Sequence, residues 1–177
     1  GGMGAYSPAP VVTDALAGRI MEEIMQPLAR GMAAAGTPYR GVLYAGLMIS
    51  GDTLSVLEIN CRFGDPETQP VLARLQTDLV ELMGASINGA LAGVEPAWDP
   101  RATMCIVMAS GGYPGSYDKG HPIGGLEDAG AMDDVVVFHA GTALDDAGKV
   151  VTSGGRVLGV TAYGETIKAA QERAYEA

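Results

Sequence analysis

Three polar residues at alternate positions are the first candidates for chemistry. Glu58, Asn60 and Arg62 lie within an apolar, strand-like stretch. Because strand side chains alternate between two faces, all three are predicted to share one face. A carboxylate and an amide carbonyl supply two oxygen ligands of the kind that Mg²⁺ takes beside nucleotide phosphates, and the guanidinium of Arg62 suits a phosphate oxygen. The same spacing is typical of a strand that faces solvent, so both interpretations stay open.

Two further segments carry groups suited to binding. One is the sequence Asp65-Pro66-Glu67, which is typical of a helix start because a capping carboxylate is followed by Pro. Its two carboxylates also suit binding of an amine or hydrogen bonding around a metal ion. The chain opens with a glycine-rich loop whose backbone amides are open to a phosphate or carboxylate. The residues of this opening are Gly1, Gly2, Met3 and Gly4.

The histidines and cysteines indicate no further site. His121 and His139 lack ligand-like spacing and are interpreted as ordinary loop and strand residues, so no zinc site is expected. Cys61 and Cys105 lie in apolar stretches, where a thiol behaves as a small hydrophobic group. Two cysteines in such positions favour a reduced, cytoplasmic protein.

The length and net charge of the chain limit which partners are expected. The chain has 177 residues, enough for one good core or two small ones, and a formal net charge of -10. Such a charge repels nucleic acid and anionic lipid, so neither is expected as a partner. No stretch approaches the length of an apolar membrane span.

The elements that must position these residues follow from periodicity. A helix is predicted from Thr13 or Asp14, bent at Pro27 and ended by Gly36, followed by an antiparallel hairpin over 39–49 and 54–61 with both faces covered. Helices follow at 65–75 and 78–91. Beyond a boundary near residue 100, short strands are predicted at 104–108, 135–138, 150–152 and 157–161, with a last helix from Thr166.

Four segments together carry a resemblance to a known family. They are Gly-Gly-Met-Gly-Ala-Tyr-Ser-Pro at 1–8, Leu-Glu-Ile-Asn-Cys-Arg-Phe-Gly-Asp-Pro-Glu-Thr-Gln-Pro at 57–70, Gly-Gly-Tyr-Pro-Gly at 111–115 and Ser-Gly-Gly-Arg-Val at 153–157. In this order they resemble the phosphoribosylamine–glycine ligases, which are ATP-grasp enzymes of purine synthesis. The fold class implied is α+β. Residues 1–100 would be the C-terminal part of an ATP-grasp domain, an antiparallel sheet with covering helices, and residues 101–177 a small β-rich C-terminal domain.

The resemblance also implies an activity. It is the ATP-dependent ligation of glycine to 5-phosphoribosylamine through a glycyl phosphate, which yields glycinamide ribonucleotide, ADP and phosphate. Glu58 and Asn60 match the ligands of Mg²⁺ or Mn²⁺, Arg62 matches a catalytic residue near the reacting phosphates, and Leu57 matches an apolar floor for adenine or, alternatively, a core residue. Positions near glycine and phosphoribosylamine are matched by Gly1, Gly2, Met3, Gly4, Asp65 and Glu67, and Arg156 is a candidate for the ribose 5-phosphate.

Two departures from the family pattern limit these expectations. A further metal-binding carboxylate of many ATP-grasp enzymes would fall near Ala45 or Gly46, so the number of metals stays open. The N-terminal half of the enzyme, which carries the phosphate-binding lysine, is the expected partner, and this chain alone is expected to be inactive. Two alternatives stay open. The enzymatic one is a different ATP-grasp carboxylate–amine ligase, and the non-enzymatic one is a binding or assembly module.

Overall fold

The computed structural model describes residues 2–177, which form two compact units. Unit 1 combines residues 2–8, Asp65–Arg74 and Asp99–Ala177, and unit 2 combines Ala9–Gly64 and Leu75–Trp98. Both units draw on separated segments of the chain, whereas the predicted boundary near residue 100 follows chain order. The assignment of 1–100 and 101–177 to two domains of the family therefore stays a prediction.

The chain combines helices with strands that pair antiparallel, which confirms the predicted α+β class. The helices are α1 (Asp14–Ile20), α2 (Gln26–Ala34), α3 (Thr68–Arg74), α4 (Leu79–Asn88), α5 (Leu126–Gly130) and α6 (Ile167–Glu176). The strands are β1 (Gly4–Ser7), β2 (Tyr44–Ser50), β3 (Thr53–Asn60), β4 (Ala102–Ala109), β5 (Val135–His139), β6 (Thr142–Leu144), β7 (Val150–Thr152) and β8 (Arg156–Gly164). A π-helical turn at Met21–Met25 joins α1 to α2.

Unit 1 is built on one antiparallel sheet in the order β1-β4-β8-β5. Helix α6 packs on one face, where Val135, Val160, Ala162 and Ala174 form a buried cluster. Helix α3 contacts β1, β4 and β8. The hydroxyl of Thr103 donates a hydrogen bond of 2.7 Å to the carbonyl of Pro70, which ties α3 to the sheet.

Charged and aromatic side chains interact at one end of this sheet. Arg101 donates to Asp99 at 2.9 Å and to Asp134 at 2.7 Å, and its guanidinium lies 4.8 Å from the ring centroid of Tyr163. Hydrogen bonding from Arg101 holds the pKa of the Asp99 carboxyl below its ordinary value. The hydroxyl of Tyr163 donates to the carbonyl of Ala73 in α3. The end of the sheet is therefore linked to α3 by polar contacts as well as by packing.

Unit 2 contains the first helical segment. The side chain of Thr13 accepts a hydrogen bond of 3.3 Å from the backbone of Leu16, which confirms the predicted N-cap. The helix does not bend simply at Pro27. A π turn precedes α2, and Pro27 lies in the first turn of α2, where its missing N–H is tolerated. Gly36, with φ of 78°, follows the end of α2 as predicted.

Unit 2 also contains the hairpin of β2 and β3, joined at the predicted turn. The expectation that both its faces are covered is wrong. Val56 is 48% exposed and Leu57 is 63% exposed, so an apolar composition here does not reflect burial in this chain. Cys61, just after β3, is exposed, whereas Cys105 in β4 is buried, so only the second cysteine fits the predicted hydrophobic environment.

The remaining boundaries differ from the predictions in specific ways. Helix α3 begins at Thr68, so Asp65 and Pro66 do not start it. Helix α4 is capped by Asp78 and ends at Asn88, before residue 91 where the prediction ended it, with Gly89 at φ of 69° as its C-cap. Strands β1 and β6 and helix α5 were not predicted. Among residues 2–177, no helix has the length and apolar character needed to span a membrane.

Candidate functional site

The first candidate site lies on the hairpin of unit 2. Tyr44 pairs with Asn60, Ala45 with Ile59 and Gly46 with Glu58, without a register shift across these three pairs. Side chains two residues apart in a regular strand point to the same face. The carboxylate of Glu58 and the amide of Asn60 therefore share one face of β3, as the alternation predicted.

Gly46 leaves room for the Glu58 side chain. A Cβ atom added at Gly46 would lie 2.9 Å from Cγ of Glu58. The family pattern would place a further metal-binding carboxylate near Gly46. In this chain the Glu58 side chain fills the space where a side chain of residue 46 would begin. The register shifts beside this pair, since Leu47 pairs with Val56 and leaves Leu57 as the extra residue of a β-bulge. Bulges of this kind re-aim neighbouring side chains.

Arg62 lies beyond the end of β3, so strand alternation does not extend to it. Its side chain nevertheless turns back to the hairpin. The guanidinium donates a hydrogen bond of 2.8 Å to the carbonyl of Phe63 and reaches Oδ1 of Asn60 at 3.5 Å. Nδ2 of Asn60 is buried and has no hydrogen-bond partner within the described part of the chain. Arg62 thus lies beside Asn60, which shares a face of the hairpin with Glu58, and these three residues are the polar group of the hairpin.

This group offers two hard oxygen donors to a cation. Residues 2–177 contain no set of three or more His, Cys, Asp or Glu side chains placed to share a metal ion. A cation held by Glu58 and Asn60 would therefore need oxygens from phosphate or water to complete its shell. That requirement fits Mg²⁺, which is usually held by one or two protein ligands together with substrate phosphates.

The second candidate site lies in unit 1 and joins residues far apart in sequence. Arg156, at the start of β8, donates to the carboxylate of Asp65 at 2.6 Å and to the carbonyl of Gly2 at 3.1 Å. Its side chain is 22% exposed, and that of Asp65 is 60% exposed. Three of the predicted substrate-binding residues therefore meet in one place, with the Asp65 carboxylate open to a ligand.

Two glycine-rich motifs form the wall beside this pair. The backbone N–H and hydroxyl of Ser110 donate to the carbonyls of Gly155 and Gly154, both at 2.8 Å. A Cβ added at Gly155 would lie 2.3 Å from Cδ2 of Tyr113, so only glycine fits against this ring. The segments at 111–115 and 153–157 are thus packed together, which their separation in sequence did not reveal.

Two cavities are lined in part by Asp65. One, of about 240 Å³, is lined by Asp65, Gln69, Tyr113, Arg156 and Gly159 among others. The other, of about 350 Å³, is lined by Asp65, Gln69 and His139 together with Thr68, Leu72 and Phe138. Gln69 borders both cavities, but its place in a short predicted helix gives no sign of a binding role in the sequence alone.

The opening segment differs most from its prediction. Gly4 belongs to β1 and pairs with Ile106, and a Cβ on it would lie 2.8 Å from the carbonyl oxygen of Cys105. Its backbone is therefore part of the sheet and not of an open loop. The carbonyl of Met3 accepts from Val107 at 3.0 Å. Glu67 is half-buried just before α3. Gly1 lies outside the described residues.

Comparison with known sequences places this arrangement in a family. Residues 103–177 match the family profile described as "Phosphoribosylglycinamide synthetase, C domain". Residues 1–68 match the profile described as "Phosphoribosylglycinamide synthetase, ATP-grasp (A) domain". The chain belongs to the phosphoribosylglycinamide synthetase family. This confirms the resemblance drawn from the sequence motifs.

Individual members of the family match along nearly the whole chain. A phosphoribosylamine–glycine ligase of Pseudomonas aeruginosa is 58% identical over 99% of this chain and 41% of its own length. One from Vibrio parahaemolyticus is 57% identical, with the same two coverages of 99% and 41%. This synthetase-family chain thus spans 41% of the length of these curated relatives.

Solved structures agree with the family assignment. The crystal structure of a phosphoribosylamine–glycine ligase from Thermotoga maritima is 34% identical, with a TM-score of 0.80 over 99% of this chain and 42% of that one. N5-carboxyaminoimidazole ribonucleotide synthetase from Thermus thermophilus, at 16% identity, has a TM-score of 0.60 over 98% of this chain and 41% of that one. The second likeness shows the fold alone.

Proposed function

We propose that this chain supplies part of the active site of an ATP-dependent ligase that joins glycine to 5-phosphoribosylamine in purine biosynthesis. The products would be glycinamide ribonucleotide, ADP and phosphate. The observation that carries the proposal is the 58% identity over 99% of the chain to a ligase of that name. The sequence relatives are longer than this chain, so the rest of the ATP-grasp enzyme would be its partner in catalysis.

The hairpin of unit 2 would hold the nucleotide end of the reaction. Glu58 and Asn60 would bind Mg²⁺ or Mn²⁺ through their oxygens, and the bound ion would neutralise charge on the phosphates of ATP. Arg62 already lies beside Asn60, at 3.5 Å, and has guanidinium N–H groups to offer a phosphate oxygen. The exposed side chain of Leu57 would provide an apolar surface for adenine.

The Asp65–Arg156 pair of unit 1 would hold the amine substrates. Phosphorylation of the glycine carboxylate gives an acyl phosphate, whose phosphate then leaves as the amine of phosphoribosylamine attacks the carbonyl carbon. The open carboxylate of Asp65 is suited to accept a hydrogen bond from an amine and so to orient it. Arg156 holds Asp65 in place and adds positive charge for a phosphate or carboxylate of the substrate. The carbonyl of Gly2 contacts Arg156 directly, and Met3, Gly4 and Glu67 of the same unit would supply further substrate contacts.

The proposal is tested with a grafted enzyme, in which this chain replaces the matching segment of the Pseudomonas aeruginosa relative. We expect release of ADP only when ATP, Mg²⁺, glycine and phosphoribosylamine are all present. Glu58→Gln should lower turnover of the grafted enzyme at least ten- to a hundredfold, because a metal ligand loses its charge. The assay is ADP release followed by a coupled spectrophotometric reaction.

Asp52→Asn is the matched control, since it also removes one carboxylate from the hairpin but at the turn between β2 and β3. It should leave turnover unchanged. A folded grafted enzyme that releases ADP with another carboxylate but not with glycine would contradict the substrate assignment. Full turnover by Glu58→Gln would instead contradict the role of the hairpin and would favour a module without catalytic function.

A further inference from the structure

Gln69 of unit 1 lines both cavities and has no role in the proposed reaction. It is the second residue of α3 and borders both the 240 Å³ cavity and the 350 Å³ cavity. Asp65 is the other residue common to the two cavities. Any ligand that contacts the Asp65 carboxylate from either cavity therefore lies close to the side chain of Gln69.

The amide oxygen of Gln69 has unused hydrogen-bonding capacity within the described part of the chain. This atom, Oε1, is buried and has no hydrogen-bond partner among residues 2–177. Burial of an unpaired acceptor is unfavourable, so a native structure usually gives such an atom a partner. The partner would have to come from outside the described chain.

The cavity floor beside this amide is open because residue 159 is glycine. A Cβ added at Gly159 would lie 3.8 Å from Nε2 of Gln69 and 3.1 Å from Sγ of Cys105. Any larger side chain at this position would therefore fill the space next to the amide. The terminal torsion of Gln has two broad minima, so either the amide nitrogen or the oxygen can be turned toward this space.

We propose that Gln69 determines specificity by hydrogen bonding to the ribose hydroxyl groups of the phosphorylated sugar substrate. This inference rests on the proposed function. Asp65 and Arg156 already supply the negative and positive charges of the site, at 2.6 Å from each other. A neutral amide adds one donor group and one acceptor, and a hydroxyl can both accept and donate. Vicinal hydroxyls are thus the sugar groups that match it.

The experiment uses the 177-residue chain itself, because every residue lining the two cavities belongs to unit 1. Ribose 5-phosphate, 2-deoxyribose 5-phosphate and inorganic phosphate are titrated separately, and binding is measured by amide chemical shifts in NMR. We expect the chain to bind ribose 5-phosphate about fivefold more tightly than the deoxy sugar, as one neutral hydrogen bond allows. Inorganic phosphate has no sugar, so its affinity reports on the Asp65–Arg156 pair alone.

The variant Gln69→Met keeps the length of the side chain and removes its hydrogen-bonding groups. It should bind both sugars with equal affinity and inorganic phosphate as the unchanged chain does. Gln69→Asn, which keeps the amide on a shorter side chain, is the second variant and should lose part of the preference. Gln171→Met makes the same chemical change on the exposed side of α6 and should keep the full preference.

Two results would overturn the inference. One is an equal affinity of the unchanged chain for both sugars, and the other is a preference for ribose that survives in Gln69→Met. Neither result affects the proposed function if the grafted enzyme still requires glycine and phosphoribosylamine for ADP release. Loss of that requirement would reject the proposed function separately.

Discussion

Gly46→Ala is the substitution that tests most sharply how the hairpin positions Glu58. The new Cβ would lie 2.9 Å from Cγ of Glu58, whereas carbon atoms in contact are usually about 3.5 to 4.0 Å apart. The Glu58 side chain must therefore move by roughly 1 Å or change its rotamer. A displacement of about 1 Å at a catalytic group can cost about a hundredfold in rate.

We expect kcat/KM of the grafted enzyme to fall about ten- to a hundredfold in Gly46→Ala, which corresponds to roughly 1.4 to 2.7 kcal/mol of transition-state stabilisation. Because Gly46 is only half-buried and the Glu58 side chain that must move is exposed, the free energy of unfolding should fall by no more than about 1.5 kcal/mol. Rates are measured as ADP release over a range of Mg²⁺ concentrations, and stability by urea denaturation.

Gly84→Ala is the matched control, since Gly84 lies within α4 and a Cβ there would meet no atom within 4 Å. It should leave kcat/KM unchanged and stabilise the helix slightly. Unchanged kinetics in Gly46→Ala would show that Glu58 does not need its present position, and would rule out this role of the hairpin. A loss of rate that merely follows unfolding would refute it as well.

Two further predictions concern unit 1. Gly155→Ala should lower the free energy of unfolding by about 1 to 3 kcal/mol, because the new Cβ would lie 2.3 Å from Cδ2 of Tyr113. Gly130→Ala is the control and should not lower it, since a Cβ at Gly130 meets no atom within 4 Å. Both free energies are measured by urea denaturation. The pKa of Asp99 is lowered by hydrogen bonding from Arg101, so the folded state binds fewer protons than the unfolded state in the acid range. This contribution to stability is present at neutral pH and is lost as pH falls below about 4, so unfolding measured against pH should have a smaller acid slope in Asp99→Asn.

Local features of the fold were predictable from the sequence. The cap at Thr13 and the turn between β2 and β3 depend on neighbouring residues, and such signals are visible in a short window. Pairing between distant segments is different. Strand β1 pairs with β4 about a hundred residues later, and nothing in the composition of a four-residue strand identifies that partner.

The same distinction applies to the candidate sites. Glu58 and Asn60 were placed on one face because two residues of one strand obey a local period. The bulge at Leu57 and the exposure of the hairpin depend on register and on packing, which the apolar pattern does not encode. Arg156 and Asp65 are 91 positions apart, and the lack of a partner for Oε1 of Gln69 among residues 2–177 depends on the three-dimensional packing.

The role of the hairpin as a metal site is tested most directly by a crystal structure of the grafted enzyme with Mn²⁺ and a non-hydrolysable ATP analogue, using anomalous scattering to locate the ion. We expect Mn²⁺ bound to a carboxylate oxygen of Glu58 and to Oδ1 of Asn60, at about 2.0 to 2.3 Å, with the shell completed by phosphate oxygens and water. Manganese bound to the nucleotide but away from both side chains would contradict it.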